Sequence, residues 1–294
     1  MGYWLVKAVL TPLLRLFFRP TIRGAEHLPT SGGAIVAGNH TSFLDNFMIP
    51  LIVPRRVTFL AKSDYFTGRG VKGRLQKAFF SGVGMIPIDR SGGEASEAAL
   101  RTGMRVLESG QVMGLFPEGT RSPDGRLYRG RTGIARMALK AGVPVIPVGL
   151  VGMFALQPAG RTLPKPGKVE LRIGPPMDFS RYAGMEGDRF VLRSITDEIM
   201  YELMVLSGQE YVDTYATRAK AALQTPAAAR AALVGDARAE VPGERVGGVA
   251  DLALTGEEHE DVAGPLGAQL VDGLAHRRER IAVLRLLLRA GLAA

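Results

Sequence analysis

The chain has 294 residues, 46% of them apolar and 22% charged, which is enough to bury a substantial core in one large or two modest domains and excludes a wholly disordered chain. It contains no cysteine, so disulfides, a thiolate nucleophile and Cys-ligated zinc or iron–sulfur clusters are excluded, and its four histidines (His27, His40, His259, His276) form no close ligand pair for a metal. The net charge of +9 points to an anionic partner, whether nucleic acid, an anionic membrane surface or a phosphorylated substrate.

The first twenty residues, MGYWLVKAVLTPLLRLFFRP, are apolar but interrupted by Lys7, Arg15 and Arg19. They suit neither a spanning helix nor a cleavable signal. Trp4, Leu5, Val9, Leu13, Leu16 and Phe17 fall on one flank of a helix bordered by basic residues, the pattern of a helix lying in the membrane interface; a terminal helix docked on the core is the alternative. Apolar strands are then predicted at 34–37, 57–61, 85–88, 112–116, 145–150 and 169–173, alternating with helical stretches at about 43–52, 70–80, 94–109, 130–141 and 186–206. This alternation predicts an α/β domain with a central mixed or mostly parallel sheet covered by helices, whose strand-end loops bind ligands.

The charge divides along the chain. Residues 225–294 carry a net −2 and leave +11 on the first 224, and all 20 aromatic residues lie at or before Tyr215. The expected organisation is therefore a membrane-interface helix over 1–21, a main domain over 22–222 and a C-terminal tail over 223–294. That tail is Ala-, Gly- and acid-rich and reads as flexible, ending in a stretch whose Leu274, Ile281, Leu284 and Leu288 suit an apolar helical stripe.

Four blocks carry candidate chemistry. Gly38-Asn39-His40-Thr41-Ser42-Phe43-Leu44-Asp45 follows the first apolar strand. A histidine at a strand end stands on a rigid support, and a carboxylate five residues later can reach back to one imidazole nitrogen and leave the other as a general base; a helix-capping role fits the same residues. His27 has only its neighbour Glu26 at hand and is the weaker candidate. The strand Met85-Ile86-Pro87-Ile88 runs into Asp89-Arg90, where a guanidinium at a strand end can grip phosphate or simply form a surface ion pair. Phe116-Pro117-Glu118-Gly119-Thr120-Arg121-Ser122 offers a flexible glycine, two hydroxyls and a fixed cationic fork, the parts of an anion cradle that Glu118 can hold in shape or supplement by orienting a hydroxyl. Val143-Pro144-Val145-Ile146-Pro147-Val148 has no reactive group and suits an apolar wall. The basic stretch from Arg55 to Lys77 has interleaved aromatics, but its strand–helix pattern favours a core with a basic face over a nucleic-acid platform.

In this order the four blocks resemble the motifs of the glycerophospholipid acyltransferases, in particular the 1-acylglycerol-3-phosphate acyltransferases. The pairing of His-x4-Asp with Phe-Pro-Glu-Gly-Thr-Arg is the specific part. The resemblance runs from about Ile22 to Leu206 and includes Lys62-Ser63-Asp64-Tyr65-Phe66, similar to a lysine-bearing family segment, while Pro87 replaces an aromatic or other apolar residue of many members. It implies an enzyme in which His40 takes the proton of an acceptor hydroxyl that attacks an acyl thioester directly, with Asp45 orienting the imidazole. The acceptor phosphate would be held by Arg90, Glu118, Gly119, Thr120 and Arg121, with Lys62, while Pro144 and Pro147 shape an acyl pocket or serve the fold. No metal and no cofactor are implied, acyl-CoA or acyl-carrier protein being the co-substrate. The implied partners are a membrane surface with anionic lipid and a lipid-phosphate acceptor, without nucleic acid, and the implied location is peripheral or monotopic on the cytoplasmic face of the cell membrane. Glycerol-3-phosphate or another lysophospholipid is the alternative acceptor, and a non-catalytic lipid-binding module the alternative of another class.

Overall fold

Runs of apolar residues that alternate with amphipathic stretches bury themselves most completely as strands sandwiched between helices, and that is what this chain forms. A computed structural model describes residues 2–63, 66–88 and 95–224. In chain order the elements are α1 (Gly2–Phe18), β1 (Thr21–Arg23), β2 (Ala34–Gly38), α2 (Asp45–Ile52), β3 (Val57–Lys62), α3 (Gly70–Gly82), β4 (Met85–Ile88), α4 (Ala95–Glu108), β5 (Val112–Leu115), β6 (Leu127–Tyr128), α5 (Gly133–Ala141), β7 (Val145–Val151), α6 (Met153–Leu156), β8 (Glu170–Ile173), α7 (Arg189–Ser207), β9 (Tyr211–Val212) and α8 (Ala216–Gln224).

Seven strands form one sheet in the order β1-β8-β7-β2-β5-β3-β4, and β6 pairs with β9. From β7 through β2, β5 and β3 to β4 every pairing is parallel; β8 runs antiparallel to β7, and β1 parallel to β8. The sheet is thus mixed and mostly parallel. All five residues of β2 are buried, as expected of a central strand covered on both faces. Ile35 and Ala37 join Met104, Met113, Ile134, Ile199 and Leu203 in a core shared with α4, α5 and α7, where each large apolar side chain contributes about 1.5–3 kcal/mol. On the other face the Ile49 side chain of α2 closes over Gly38. Gly114 is required in β5: a Cβ there would lie 2.2 Å from the Phe59 ring.

The N-terminal helix docks by one face and exposes another. The Tyr3 hydroxyl accepts from the Val57 N–H at 3.2 Å, and Lys7 Nζ donates to the Val53 carbonyl. Trp4, Leu5, Val9 and Leu16 lie outward, 51–69% exposed. Phe17, expected on that outer flank, is buried at 3%, because the helix stops at Phe18, Arg19 takes a positive φ of 39° and Pro20 turns the chain into β1. The expected boundaries at 21 and 222 fall inside β1 and α8, and the tail beyond 224, with its terminal helix, lies outside the described residues. Helices expected from residues 43 and 130 begin at Asp45 and Gly133, the preceding residues being used in loops that shape the site. The strands β1, β6 and β9 carry no sequence signal, because two or three residues show no periodicity.

Candidate functional site

The sheet register brings the two most distinctive segments together. Ala37 pairs with Leu115 across parallel β2 and β5, so the loop holding His40 and the loop 116–122 leave the same edge side by side, at the carboxyl ends of adjacent strands. They are then tied by hydrogen bonds. The His40 N–H donates to Glu118 Oε2 at 2.7 Å, and the His40 carbonyl accepts from the Ser122 N–H at 2.6 Å. Glu118 Oε1 accepts from the Tyr128 N–H at 3.0 Å, so this one carboxyl group, 1% exposed, braces three segments. Burial raises its pKa to about 8 although both N–H groups pull it down.

Asp45 opens α2 and reaches back. Its Oδ2 accepts from the Thr41 and Ser42 N–H groups at 2.8 Å each and from His40 Nδ1 at 2.9 Å. An oxygen that already receives two N–H groups is an acceptor toward the ring as well, so Nδ1 carries the hydrogen and Nε2 keeps its lone pair. The imidazole stacks on Phe116 with 4.0 Å between centroids. Burial depresses the His40 pKa from its ordinary 6.5; Asp45 opposes that shift, and the Arg121 and Lys220 charges reinforce it. The ring is therefore neutral at pH 7, the form that can accept a proton.

His40 lines a cavity of about 500 Å³. Gly119, Thr120, Arg121 and Arg131 line it with polar groups, while Phe59, Met85, Met113, Ile134 and Met137 line it with apolar ones. Gly119 has φ +74°, and a Cβ there would lie 2.9 Å from Arg131 Nε, so only glycine lets the loop approach that guanidinium without strain. Arg121 makes no hydrogen bond or ion pair with another described residue.

Of the residues expected here, His40, Asp45, Gly119, Thr120 and Arg121 are brought together. Glu118 lies beside them but turns from the cavity toward backbone N–H groups, so it shapes the cradle and is not placed to touch a phosphate. Ser122, counted among the cradle hydroxyls, is buried and accepts from the Gly125 N–H at 3.0 Å. Pro144 and Pro147 are absent from the cavity lining; Pro147 sits in β7 opposite Ala37, a structural position. The Lys62 side chain and Arg90 lie outside the described residues, although Lys62 and Ile88 are paired at the ends of β3 and β4. His27 hydrogen-bonds the Ile173 carbonyl of β8 at 3.0 Å and is absent from the cavity lining. Arg131 and Lys220 join the site without a distinctive sequence signal: the first is one of several loop arginines, and the second follows Thr120 by a hundred residues with only overall positive charge to mark it. Among the described residues no cluster of His, Asp and Glu can hold a metal ion.

A protein-family model described as Acyltransferase matches residues 19–151. A 1-acyl-sn-glycerol-3-phosphate acyltransferase of Bacillus subtilis is 31% identical over 160 residues, covering 54% of this chain and 73% of that protein. The chain belongs to the 1-acyl-sn-glycerol-3-phosphate acyltransferase family. A chloroplastic family member of Brassica napus is 33% identical over 145 residues, 49% of this chain, and the match spans only 40% of that relative's length. Among solved structures, the 1-acyl-sn-glycerophosphate acyltransferase PlsC of Thermotoga maritima superposes with a TM-score of 0.52 at 30% identity, covering 67% of this chain and 76% of that one. The acyltransferase family match contains both loops of the site, from His40 to Arg131; Lys220 lies beyond it.

Proposed function

We propose that this chain transfers a fatty acyl group from a thioester, acyl-CoA or acyl-carrier protein, to the free hydroxyl of 1-acylglycerol-3-phosphate, giving phosphatidic acid. The observation that carries this reading is the His40–Asp45 pair, with Nε2 unbonded to any described residue, in a cavity lined by both cationic and apolar side chains. His40 Nε2 takes the proton of the acceptor hydroxyl as its oxygen attacks the thioester carbonyl; the C–O bond forms, the C–S bond breaks, and the imidazolium returns the proton to the departing thiolate. Arg121 and the Gly119-Thr120 loop face the acceptor phosphate, and the chamber lined by Phe59, Met113 and Met137 takes an acyl chain, which needs no hydrogen-bond partner. General-base catalysis supplies about 10² to 10⁴ in rate, and holding hydroxyl against thioester supplies much of the remainder.

The test is purified protein with acyl-CoA or acyl-carrier protein and a panel of acceptors, product being followed by mass. Phosphatidic acid from lysophosphatidic acid is the expected product. Turnover confined to glycerol-3-phosphate or to a lysophospholipid with a larger headgroup moves the acceptor assignment, and lipid binding without turnover on any acceptor replaces the enzyme by a binding module.

The membrane reading rests on the outer face of α1. No helix among the described residues is long and apolar enough to cross a membrane, but Trp4, Leu5, Val9 and Leu16 form an exposed apolar stripe. Beside it α3 exposes Val71 and Leu75 together with Lys72, Arg74 and Lys77. An apolar stripe with cations suits a peripheral helix on an anionic leaflet, each basic residue near the surface adding about 1 kcal/mol, and on this reading the protein works at the cytoplasmic face of the cell membrane. Leu5→Asp with Val9→Asp should lower co-sedimentation with phosphatidylglycerol vesicles by about tenfold or more at unchanged melting temperature, since both side chains are already exposed in the folded protein. Undiminished vesicle binding would remove α1 from the membrane contact.

A further inference from the structure

Beyond the two loops at the ends of β2 and β5, a third element reaches the site. Tyr215 lies under the Arg131 guanidinium, 5.2 Å from ring centroid to Cζ, and Thr217 Oγ1 accepts from Arg131 at 3.3 Å. One turn further along α8, Lys220 Nζ donates to Thr120 Oγ1 at 2.6 Å. Thr120 thus accepts from Lys220 and keeps its own hydroxyl hydrogen to donate. Arg121, Arg131 and Lys220 surround the Gly119-Thr120 turn, and none of the three is ion-paired to a carboxylate among the described residues. Burial lowers the Lys220 pKa, and the Arg121 charge lowers it further, with Glu118 opposing. Three cations gathered at one turn, with no ion-paired carboxylate among the described residues, repel one another until an anion with several acceptor oxygens arrives.

We propose that Lys220 of α8 is a binding residue for the phosphate monoester of the acceptor, completing with Arg121 and Arg131 a three-cation site in which the Thr120 hydroxyl donates a fourth contact. This rests on the acyl-transfer reading for the identity of the ligand. It makes α8, which lies outside the matched family segment, part of the substrate site and a determinant of selectivity for phosphorylated over neutral acceptors. The donor carries phosphates too, and the experiment separates the two sources.

The full chain and its Lys220→Ala, Lys220→Gln and Lys220→Arg variants are titrated with lysophosphatidic acid in nonionic micelles, with monoacylglycerol of the same chain, and with acyl-CoA. Lysophosphatidic acid should bind about tenfold or more weakly to the Ala and Gln variants and within threefold of normal to Lys220→Arg, while monoacylglycerol and acyl-CoA binding stay unchanged. In turnover the acceptor KM should rise by a similar factor with kcat falling less than threefold. Lys220→Gln keeps a donor for Thr120 and carries the test if the alanine variant melts early. Unchanged lysophosphatidic acid binding, or a defect confined to acyl-CoA, overturns the assignment. Binding is read without turnover, so a wild type that binds lysophosphatidic acid and transfers nothing overturns the transfer reading and leaves the Lys220 assignment in place.

Discussion

Replacing His40 by alanine is expected to lower acyl transfer by about 10² to 10⁴-fold while the protein stays folded. In the proposed mechanism the imidazole is the proton acceptor, since among the described residues lining the cavity it alone bonds a carboxylate through one ring nitrogen and keeps the other for the acceptor hydroxyl, so its loss leaves only the positioning of substrates. Stability should change little. The His40 backbone contacts to Glu118 and Ser122 do not involve the ring, Asp45 Oδ2 keeps its two backbone donors, and the lost stacking on Phe116 is worth about 0.5–1.5 kcal/mol. Transfer rates and a thermal melt check both halves, and retention of more than about a tenth of the activity would sink the assignment of His40 as base.

The same histidine sets the expected pH profile. In the proposed mechanism the neutral ring is the active form, and burial, opposed by Asp45, lowers its pKa from the ordinary 6.5. Activity should therefore rise with pH through a point below 6.5 and stay level above it. An acid limb of kcat/KM centred at or above 6.5 would contradict the environment described for the ring.

Glu118→Ala is expected to be the most damaging substitution for the fold of the site. It leaves the His40 and Tyr128 N–H groups without acceptors, at about 1–3 kcal/mol for each buried donor, and it releases the strand-end loop that carries His40. Unfolding midpoints in urea should drop by an amount corresponding to about 2–6 kcal/mol, with activity lost in the variant even where it remains folded. Wild-type stability and turnover in this variant would mean that the brace is dispensable. The pH dependence has a definite sign. Burial raises the Glu118 carboxyl to about 8 from the 4.5 it has in an unfolded chain, so between these values the unfolded state binds fewer protons and stability falls as pH rises. The stability advantage of the wild type over Glu118→Gln should accordingly narrow from pH 5 toward pH 8.

Much of this was written locally in the chain. Strands such as 85–88 are runs of apolar residues bounded by glycine, proline or charge, and their character depends on a few neighbouring residues. The His40–Asp45 contact is likewise local: five residues, a loop and the first turn of a helix suffice to return the carboxylate to the ring. The parallel register that sets both loops at one sheet edge follows once strands alternate with helices.

What the sequence could not determine lies in partners far apart along it. Glu118 looks like a cradle residue beside Gly119-Thr120-Arg121, and only the fold turns its carboxyl inward to an N–H that lies 78 residues earlier. Phe17 continues the outward stripe of α1 until the break at Arg19 carries it into the core. The apolar chamber is assembled from β3, β5 and α5, none of which carries a local sign of a cavity. Lys220 meets Thr120 across a hundred residues. Composition and spacing thus determined six of the seven strands of the sheet and the His40–Asp45 contact, because propensity and short-range geometry act over a few residues. Which side chains face the substrate was decided by tertiary packing, because the direction of a side chain depends on which distant backbone groups its fold leaves to be satisfied.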